Sequence, residues 1–186
     1  MRTFIAIELS DRAKETLTRV QSHLKYSDAD VKWVEPANVH LTLKFLGEID
    51  EKTCEKVKSI LDEIAKTTKP FEMSLESIGA FPSIDFPRVI WVGIDKGAKE
   101  STELANKITA EFSTKIGFNK EARDFAAHLT IGRVRSGKNK QALKEKIILY
   151  ALLPTLREEV SSVILFQSKL TPTGPIYTRL HEAKFS

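Results

Sequence analysis

Two short segments of this 186-residue sequence share one pattern: residues 40–43 read HLTL and residues 128–131 read HLTI. In each segment a histidine and a threonine are separated by one apolar residue, and a second apolar residue follows. Successive side chains of a β-strand point to opposite faces. Each segment is therefore predicted to be a strand whose histidine and threonine share one open face. The other face is expected to anchor the strand in the core through Leu41, Leu43, Leu129 and Ile131.

The sequence around the two segments also repeats. An apolar strand begins at Phe4, 36 residues before His40, and a corresponding strand begins at Val89, 39 residues before His128. A helical pattern separates the strand from the histidine in both cases. We therefore expect two βαβ-like halves that face each other and bring the two histidines to opposite walls of one cleft.

The rest of the chain predicts an α+β protein. The fold expected is a bilobal pseudo-twofold duplication, with antiparallel sheets lining a central cleft and helices on the outside, formed by residues 1–186 as a single bilobal domain. Hydrophobic periodicity and turn signals predict further elements. These are a helix at 51–66 capped by Asp50, a strand from Phe71, helical residues from 140 to about 149, and strands at 160–170 and 176–185. Ser10 is predicted to cap the first helix, whose apolar stripe is formed by Ala13, Leu17, Val20 and Leu24.

Composition restricts the class of protein. The chain has 41% hydrophobic and 29% charged residues, which is typical of a globular protein rather than a disordered one. Its net charge of +4 favours polyanionic partners such as nucleic acids. The N-terminal apolar run is too short for a signal peptide or a membrane span, so a cytoplasmic protein without membrane contact is expected. The single cysteine, Cys54, lies on an apolar helix stripe and is predicted to fill the core.

The two histidines and two threonines suit the cleavage of a phosphodiester. One imidazole can take a proton from the attacking water while the other gives a proton to the leaving oxygen, because histidine titrates near neutral pH. The hydroxyls of Thr42 and Thr130 can donate hydrogen bonds to phosphate oxygens as negative charge develops. The sequence contains no metal-binding motif beside either histidine, so no metal or other cofactor is expected. The symmetry of the two motifs does not say whether His40 or His128 is the acid.

At this point the sequence resembles a known family. The paired motifs, FIAI at residues 4–7, KFLG at 44–47 and SKLTPTGPIY at 168–177 are similar to the two-histidine (2H) phosphoesterases. Within that superfamily they resemble the RNA 2′,3′-cyclic phosphodiesterases, historically called 2′-5′ RNA ligases. The resemblance implies a bilobal fold with both motifs in a central cleft. It also implies hydrolysis of RNA 2′,3′-cyclic phosphodiester ends to 2′-phosphomonoesters, with His40 as proton donor and His128 as proton acceptor.

Further residues are candidates for substrate contact. Arg133 matches a basic residue of the second motif in this family and is predicted to bind the phosphate. Strict alternation would put Arg133 on the face opposite His128, so it reaches the cleft only if the strand ends or bulges near Gly132. Three aromatic residues are candidates for stacking on a base: Trp33, Phe45 and Tyr177. The two remaining histidines, His23 and His181, are expected to lie on the surface.

Several alternatives remain open from the sequence. A non-catalytic RNA-binding module would explain the basic charge, although it leaves the twin motifs without a role. Ligation of 2′-5′ RNA ends and hydrolysis of a small cyclic nucleotide are also compatible with the motifs. The expected partner is RNA that ends in a 2′,3′-cyclic phosphate, for example tRNA halves, and a monomer is expected.

Overall fold

The structure is a computed structural model that describes residues 1–119, 123–150 and 152–186, with side chains described outside 151–155. Within these ranges nine strands and four α-helices follow one another. Their order is β1 (Arg2–Glu8), α1 (Asp11–Lys25), β2 (Val31–Trp33), a 3₁₀ helix (Pro36–Asn38), β3 (His40–Glu48), α2 (Glu51–Lys66), β4 (Phe71–Pro82), β5 (Pro87–Ile94), α3 (Ala98–Ile116), β6 (His128–Val134), α4 (Lys140–Leu149), β7 (Leu152–Val160), β8 (Ser162–Thr171) and β9 (Gly174–Lys184). None of the described helices is long and apolar enough to cross a membrane.

The strands form two antiparallel sheets, which confirms the predicted α+β class. The first sheet has the order β3-β1-β8-β9 and the second has the order β2-β6-β5-β4-β7. Helices α2 and α3 pack together behind the first sheet, whereas α1 packs against α4, which contacts β4 of the second sheet. Each sheet takes strands from both halves of the sequence. The halves therefore interleave, and neither sheet is built by one half alone.

The first two helices begin where the sequence predicts. The Ser10 side chain accepts a hydrogen bond from the backbone N–H of Ala13 (3.2 Å), and Asp50 accepts one from Thr53 (2.7 Å). Both bonds satisfy a backbone donor that has no partner inside its helix, and they fix the first turn. The apolar stripes are buried as predicted, and Cys54 lies in the core.

The two histidine segments are strands with the predicted alternation. The four anchoring residues are at most 4% exposed: Leu41, Leu43, Leu129 and Ile131. The histidine and threonine of each segment are half-buried on the opposite face. We call the face of the first sheet that carries His40, and the face of the second sheet that carries His128, the histidine faces.

One strand, β7, is absent from the sequence prediction. The strand predicted at 160–170 is β8 (Ser162–Thr171), and only the first predicted residue, Val160, belongs to β7 instead. Pro154 and the charged residues 157–159 argue against a strand at 152–160. However, β7 is the edge strand of the second sheet, where a proline does not interrupt a ladder on both sides.

Candidate active site

His40 is held at the start of β3 by its own backbone. Its Nδ1 lies 2.7 Å from the carbonyl oxygen of Asn38. A carbonyl can only accept, so Nδ1 carries the hydrogen and donates it, and Nε2 is the nitrogen left for proton transfer. The Asn38 side chain in turn donates to the carbonyl of Pro175 in β9 (3.2 Å). The orientation of His40 is thus tied to the hairpin formed by β8 and β9.

The ring of His40 lies among aromatic side chains of the first sheet. It stacks on Phe4 with ring centroids 4.7 Å apart, and Tyr177 meets it edge-on at 5.3 Å. Phe4 belongs to a small apolar cluster on this histidine face that is separate from the main core. Tyr177 packs against this small cluster. Desolvation by this burial is the main reason why the pKa of His40 falls from 6.5 to about 4. The hydrogen bond to Asn38 opposes the shift, and the charge of Lys14 adds to it.

His128 has the same backbone arrangement in the second sheet. Its Nδ1 lies 2.6 Å from the carbonyl oxygen of Ala126, again two residues earlier in the chain. Its ring meets Phe81 edge-on at 5.0 Å, and Phe81 in turn contacts Trp91 at 5.3 Å. Both motif histidines therefore donate through Nδ1 and leave Nε2 available.

The threonines share the faces of their histidines. Thr42 pairs with Ala6 across the ladder to β1, and Thr130 pairs with Trp91 across the ladder to β5. No register shift separates either threonine from its histidine, so each pair keeps the alternation of a regular strand. Strand β3 also lies in contact with β6, so the two motif strands are neighbours although they belong to different sheets.

Arg133 lies on the same face as His128 because β6 bulges. The ladder to β5 pairs Thr130 with Trp91 but Gly132 with Ile90, which leaves Ile131 as the extra residue. The sequence requires a bulge near Gly132 for Arg133 to share this face, and the structure contains that bulge. Burial raises the pKa of Tyr177, which lies on the first sheet. The charges of Arg2 and Arg133 oppose this rise. Arg133 thus acts electrostatically on a residue that touches His40.

The three aromatic candidates lie in different environments. Phe45 is 63% exposed and lies near Phe4 at 6.1 Å, on the histidine face of the first sheet. Tyr177 is half-buried against His40. Trp33 instead pairs with Gly132 and packs against the main core. Phe45 and Tyr177 are therefore the candidates that share a face with a motif histidine.

Sequence reasoning missed four residues that contact the motif histidines: Phe4, Asn38, Phe81 and Ala126. Only Asn38 and Ala126 had a local signal, their position two residues before a motif histidine. The other histidines lie elsewhere: His23 is exposed and stacks on Tyr150, and His181 is half-buried and bonds Asp62 of α2. In the part of the chain that the structure describes, no group of three or more histidine, cysteine, aspartate or glutamate residues is placed to hold a metal ion.

Comparison with known proteins gives consistent results. A family model described as LigT-like phosphoesterase matches residues 7–91 and again residues 93–177. An RNA 2′,3′-cyclic phosphodiesterase of Methanothermobacter thermautotrophicus is 37% identical over 96% of this chain and 95% of its own length. One of Archaeoglobus fulgidus is 39% identical, covering 97% of this chain and 98% of its own.

Solved structures share the fold. The crystal structure of a Thermus thermophilus protein superposes with a TM-score of 0.82 at 26% identity, covering all of this chain and 98% of its own. The structure of E. coli LigT complexed with 3′-AMP has a TM-score of 0.78 at 21% identity and covers the same shares of the two chains.

Proposed function

Because this chain belongs to the LigT-like phosphoesterase family, we propose that it hydrolyses 2′,3′-cyclic phosphodiester ends of RNA to 2′-phosphomonoesters. Full-length relatives at 37–39% identity are named for activity on RNA 2′,3′-cyclic phosphates, which supports this reaction. The positive net charge suits an RNA substrate, and tRNA halves are a substrate of this kind. We further propose that residues 1–186 act as one bilobal domain and as a cytoplasmic monomer.

The observation that carries the proposal is that both motif histidines make the same backbone hydrogen bond and are therefore held in the same tautomer. Both hold Nδ1 on a backbone carbonyl two residues earlier and leave Nε2 as the reactive nitrogen. In-line displacement at phosphorus needs one base and one acid. Two imidazoles fixed in the same tautomer, on neighbouring strands, supply this pair without a metal ion.

The reaction follows from these roles. Nε2 of His128 takes a proton from a water molecule as the water oxygen bonds to phosphorus. The bond from phosphorus to the 3′ oxygen breaks, and the protonated Nε2 of His40 gives its proton to that oxygen. The products are a 2′-phosphate and a free 3′-hydroxyl, and solvent exchange restores both imidazoles.

The donor role of His40 requires the substrate to change its pKa. A pKa of about 4 leaves His40 neutral at pH 7 in the free protein, which taken alone favours the opposite assignment, with His40 as base. A bound phosphodiester places a negative charge beside the imidazole and favours its protonated form. The family assignment therefore depends on this anion raising the pKa of His40 towards neutrality.

The other site residues bind the substrate. We propose that Thr42, Thr130 and Arg133 contact phosphate oxygens, because the strand register puts each of them on a histidine face. Hydrogen bonds to charged oxygens strengthen as charge develops in the transition state. Phe45 and Tyr177 are proposed to stack on bases, which holds single-stranded RNA without reading its sequence.

The test is turnover of an oligonucleotide that ends in a 2′,3′-cyclic phosphate, measured in parallel with a cyclic mononucleotide. Wild-type protein should form a terminal 2′-phosphate, and turnover should survive EDTA. Binding of the oligonucleotide without any product would show a non-catalytic RNA-binding module. Loss of turnover in EDTA that one divalent ion restores would disprove the metal-free mechanism. Ligated products in place of hydrolysis would favour 2′-5′ ligation, and turnover of the mononucleotide alone would assign a small cyclic substrate.

A further inference from the structure

The bulge that turns Arg133 is bound by a side chain from another part of the fold. Gln21, on α1, is 2% exposed and 110 residues away from Ile131 in the sequence. Its Nε2 donates to the carbonyl of Ile131 (2.9 Å), the extra residue of the bulge, and to the carbonyl of Val34 (2.7 Å), just after β2. The Val34 backbone N–H also donates to the Ile131 carbonyl (3.0 Å).

These bonds hold the carbonyl of the extra residue, which accepts from the Val34 backbone and from the Gln21 side chain. A bulged residue leaves the ladder locally disrupted, and Ile131 has no partner on β5, so the second bond to its carbonyl restrains the residue that this ladder leaves unpaired. Both hydrogens of the Gln21 amide are used, one for each carbonyl, so the side chain bridges β6 and the end of β2. The bulge is thereby held in the folded protein from the helix side of the sheet.

The bulge determines the direction of Arg133. Without the extra residue, Arg133 would alternate onto the side of Leu129 and Ile131, which are fully buried. With it, Gly132 pairs with the buried Ile90 and Arg133 pairs with Val89, on the face of His128. Gly132 is required here because a Cβ would lie 2.8 Å from a Val31 methyl and 3.0 Å from the Trp33 ring.

The stability of the sheet gives no reason for this arrangement. Arg133 is placed directly opposite Lys32 of β2, and both side chains are exposed. Like charges opposite each other in an antiparallel pair are destabilising. Among the described residues, neither cation has a carboxylate within ion-pair distance. An anion bound between or beside the two cations would offset the cost of the pair.

We infer that Gln21 is a positioning residue, which holds the β6 bulge so that Arg133 faces the substrate phosphate. The inference rests on the proposed function, in which Arg133 binds that phosphate. Gln21 itself does not touch substrate. Its effect on the reaction passes entirely through the direction of the Arg133 side chain.

The test compares Gln21→Met, Arg133→Met and the double variant. Methionine keeps the length of glutamine and removes both hydrogen bonds. We expect Arg133→Met to lower kcat/KM and the affinity for inorganic phosphate about 10- to 150-fold, as for a lost hydrogen bond to a charged group. Gln21→Met should lower both quantities at least about 5-fold. The loss in kcat/KM should be distributed between kcat and KM in the same proportion as in Arg133→Met. The double variant should be no worse than Arg133→Met, because one interaction cannot be lost twice.

Two further variants separate positioning from folding. Val20→Ala removes two buried methyl groups next to Gln21 on the same helix, and it should lower the melting temperature without changing phosphate affinity. Gly132→Ala disturbs the bulge from the β6 side, and its loss should not add to that of Arg133→Met. This variant tests the premise that the bulge directs Arg133 even if Gln21→Met does not fold, and losses that add would overturn the inference.

The outcomes are distinguishable. Wild-type phosphate affinity and kcat/KM in Gln21→Met, beside a loss in Arg133→Met, would overturn the positioning role and leave the proposed function intact. Losses that add in the double variant would overturn it as well, because Gln21 would then act elsewhere. Unchanged binding and kinetics in Arg133→Met would instead remove Arg133 from the proposed phosphate site, and the inference would fall with it.

Discussion

The imidazole of His40 stacks on the phenyl ring of Phe4, with ring centroids 4.7 Å apart and planes inclined by 26°. This contact covers the histidine with an apolar surface and helps to remove it from water. Desolvation disfavours the charged imidazolium, and it is the largest cause of the low pKa of His40. The acid–base state of the site is therefore set by packing on the first sheet.

The first prediction concerns this pKa. An NMR titration should give a value of about 4 for His40 in the free protein. Phe4→Ala should raise it towards 6.5 by admitting water, and a bound phosphate ion should raise it in the wild type. Phe71→Ala is the matched control, since Phe71 stacks on Phe185 and does not contact His40. A value that phosphate leaves unchanged would contradict the donor role of His40.

The second prediction is a pH dependence of stability. The pKa of His40 is about 4 in the folded protein and 6.5 in its ordinary state, so between these values the unfolded chain binds a proton that the folded protein does not. The free energy of unfolding should therefore fall as pH drops from 6.5 to 4, by up to about 3 kcal/mol. His40→Gln should lack the part of this pH-dependent fall that is due to His40. Denaturant unfolding at a series of pH values can measure the difference. Parallel curves for the two proteins would show that His40 is not desolvated.

The third prediction assigns the two imidazoles. Turnover should follow a bell-shaped pH curve, because one histidine must be protonated and the other neutral. His128→Ala should remove the limb at low pH, and His40→Ala the limb at high pH, each with a loss of about 10²- to 10⁴-fold. Turnover of the double variant should be little lower than that of the slower single variant. An exchange of the lost limbs would make His40 the base.

The fourth prediction concerns the threonines. Thr42→Val and Thr130→Val replace the hydroxyl by a methyl group and keep the β-branched shape that suits a strand. Each should lower kcat about 10- to 150-fold, the share of one hydrogen bond to a developing charge. Thr178→Val, on β9, is a control with the same chemical change and should leave kcat unchanged. Wild-type kcat in both motif variants would give these threonines a structural role.

The sequence by itself determined the local features of this protein. Alternation within residues 40–43 and 128–131 was enough to place each histidine beside its threonine and to assign the buried residues on the other face. The caps and apolar stripes of α1 and α2 were equally readable. These features depend on strand and helix periods that span only a few residues, so they can be predicted without knowledge of the fold.

Only the tertiary structure decided how distant segments meet. The β6 bulge that turns Arg133, the Phe4 ring beside His40 and the Phe81 ring beside His128 all depend on register between strands far apart in the sequence. Strand β7 was hidden for a related reason, because its edge position tolerates a sequence that reads poorly as a strand. A register is chosen by the packing of both faces of a sheet together, and no short stretch of sequence contains that information.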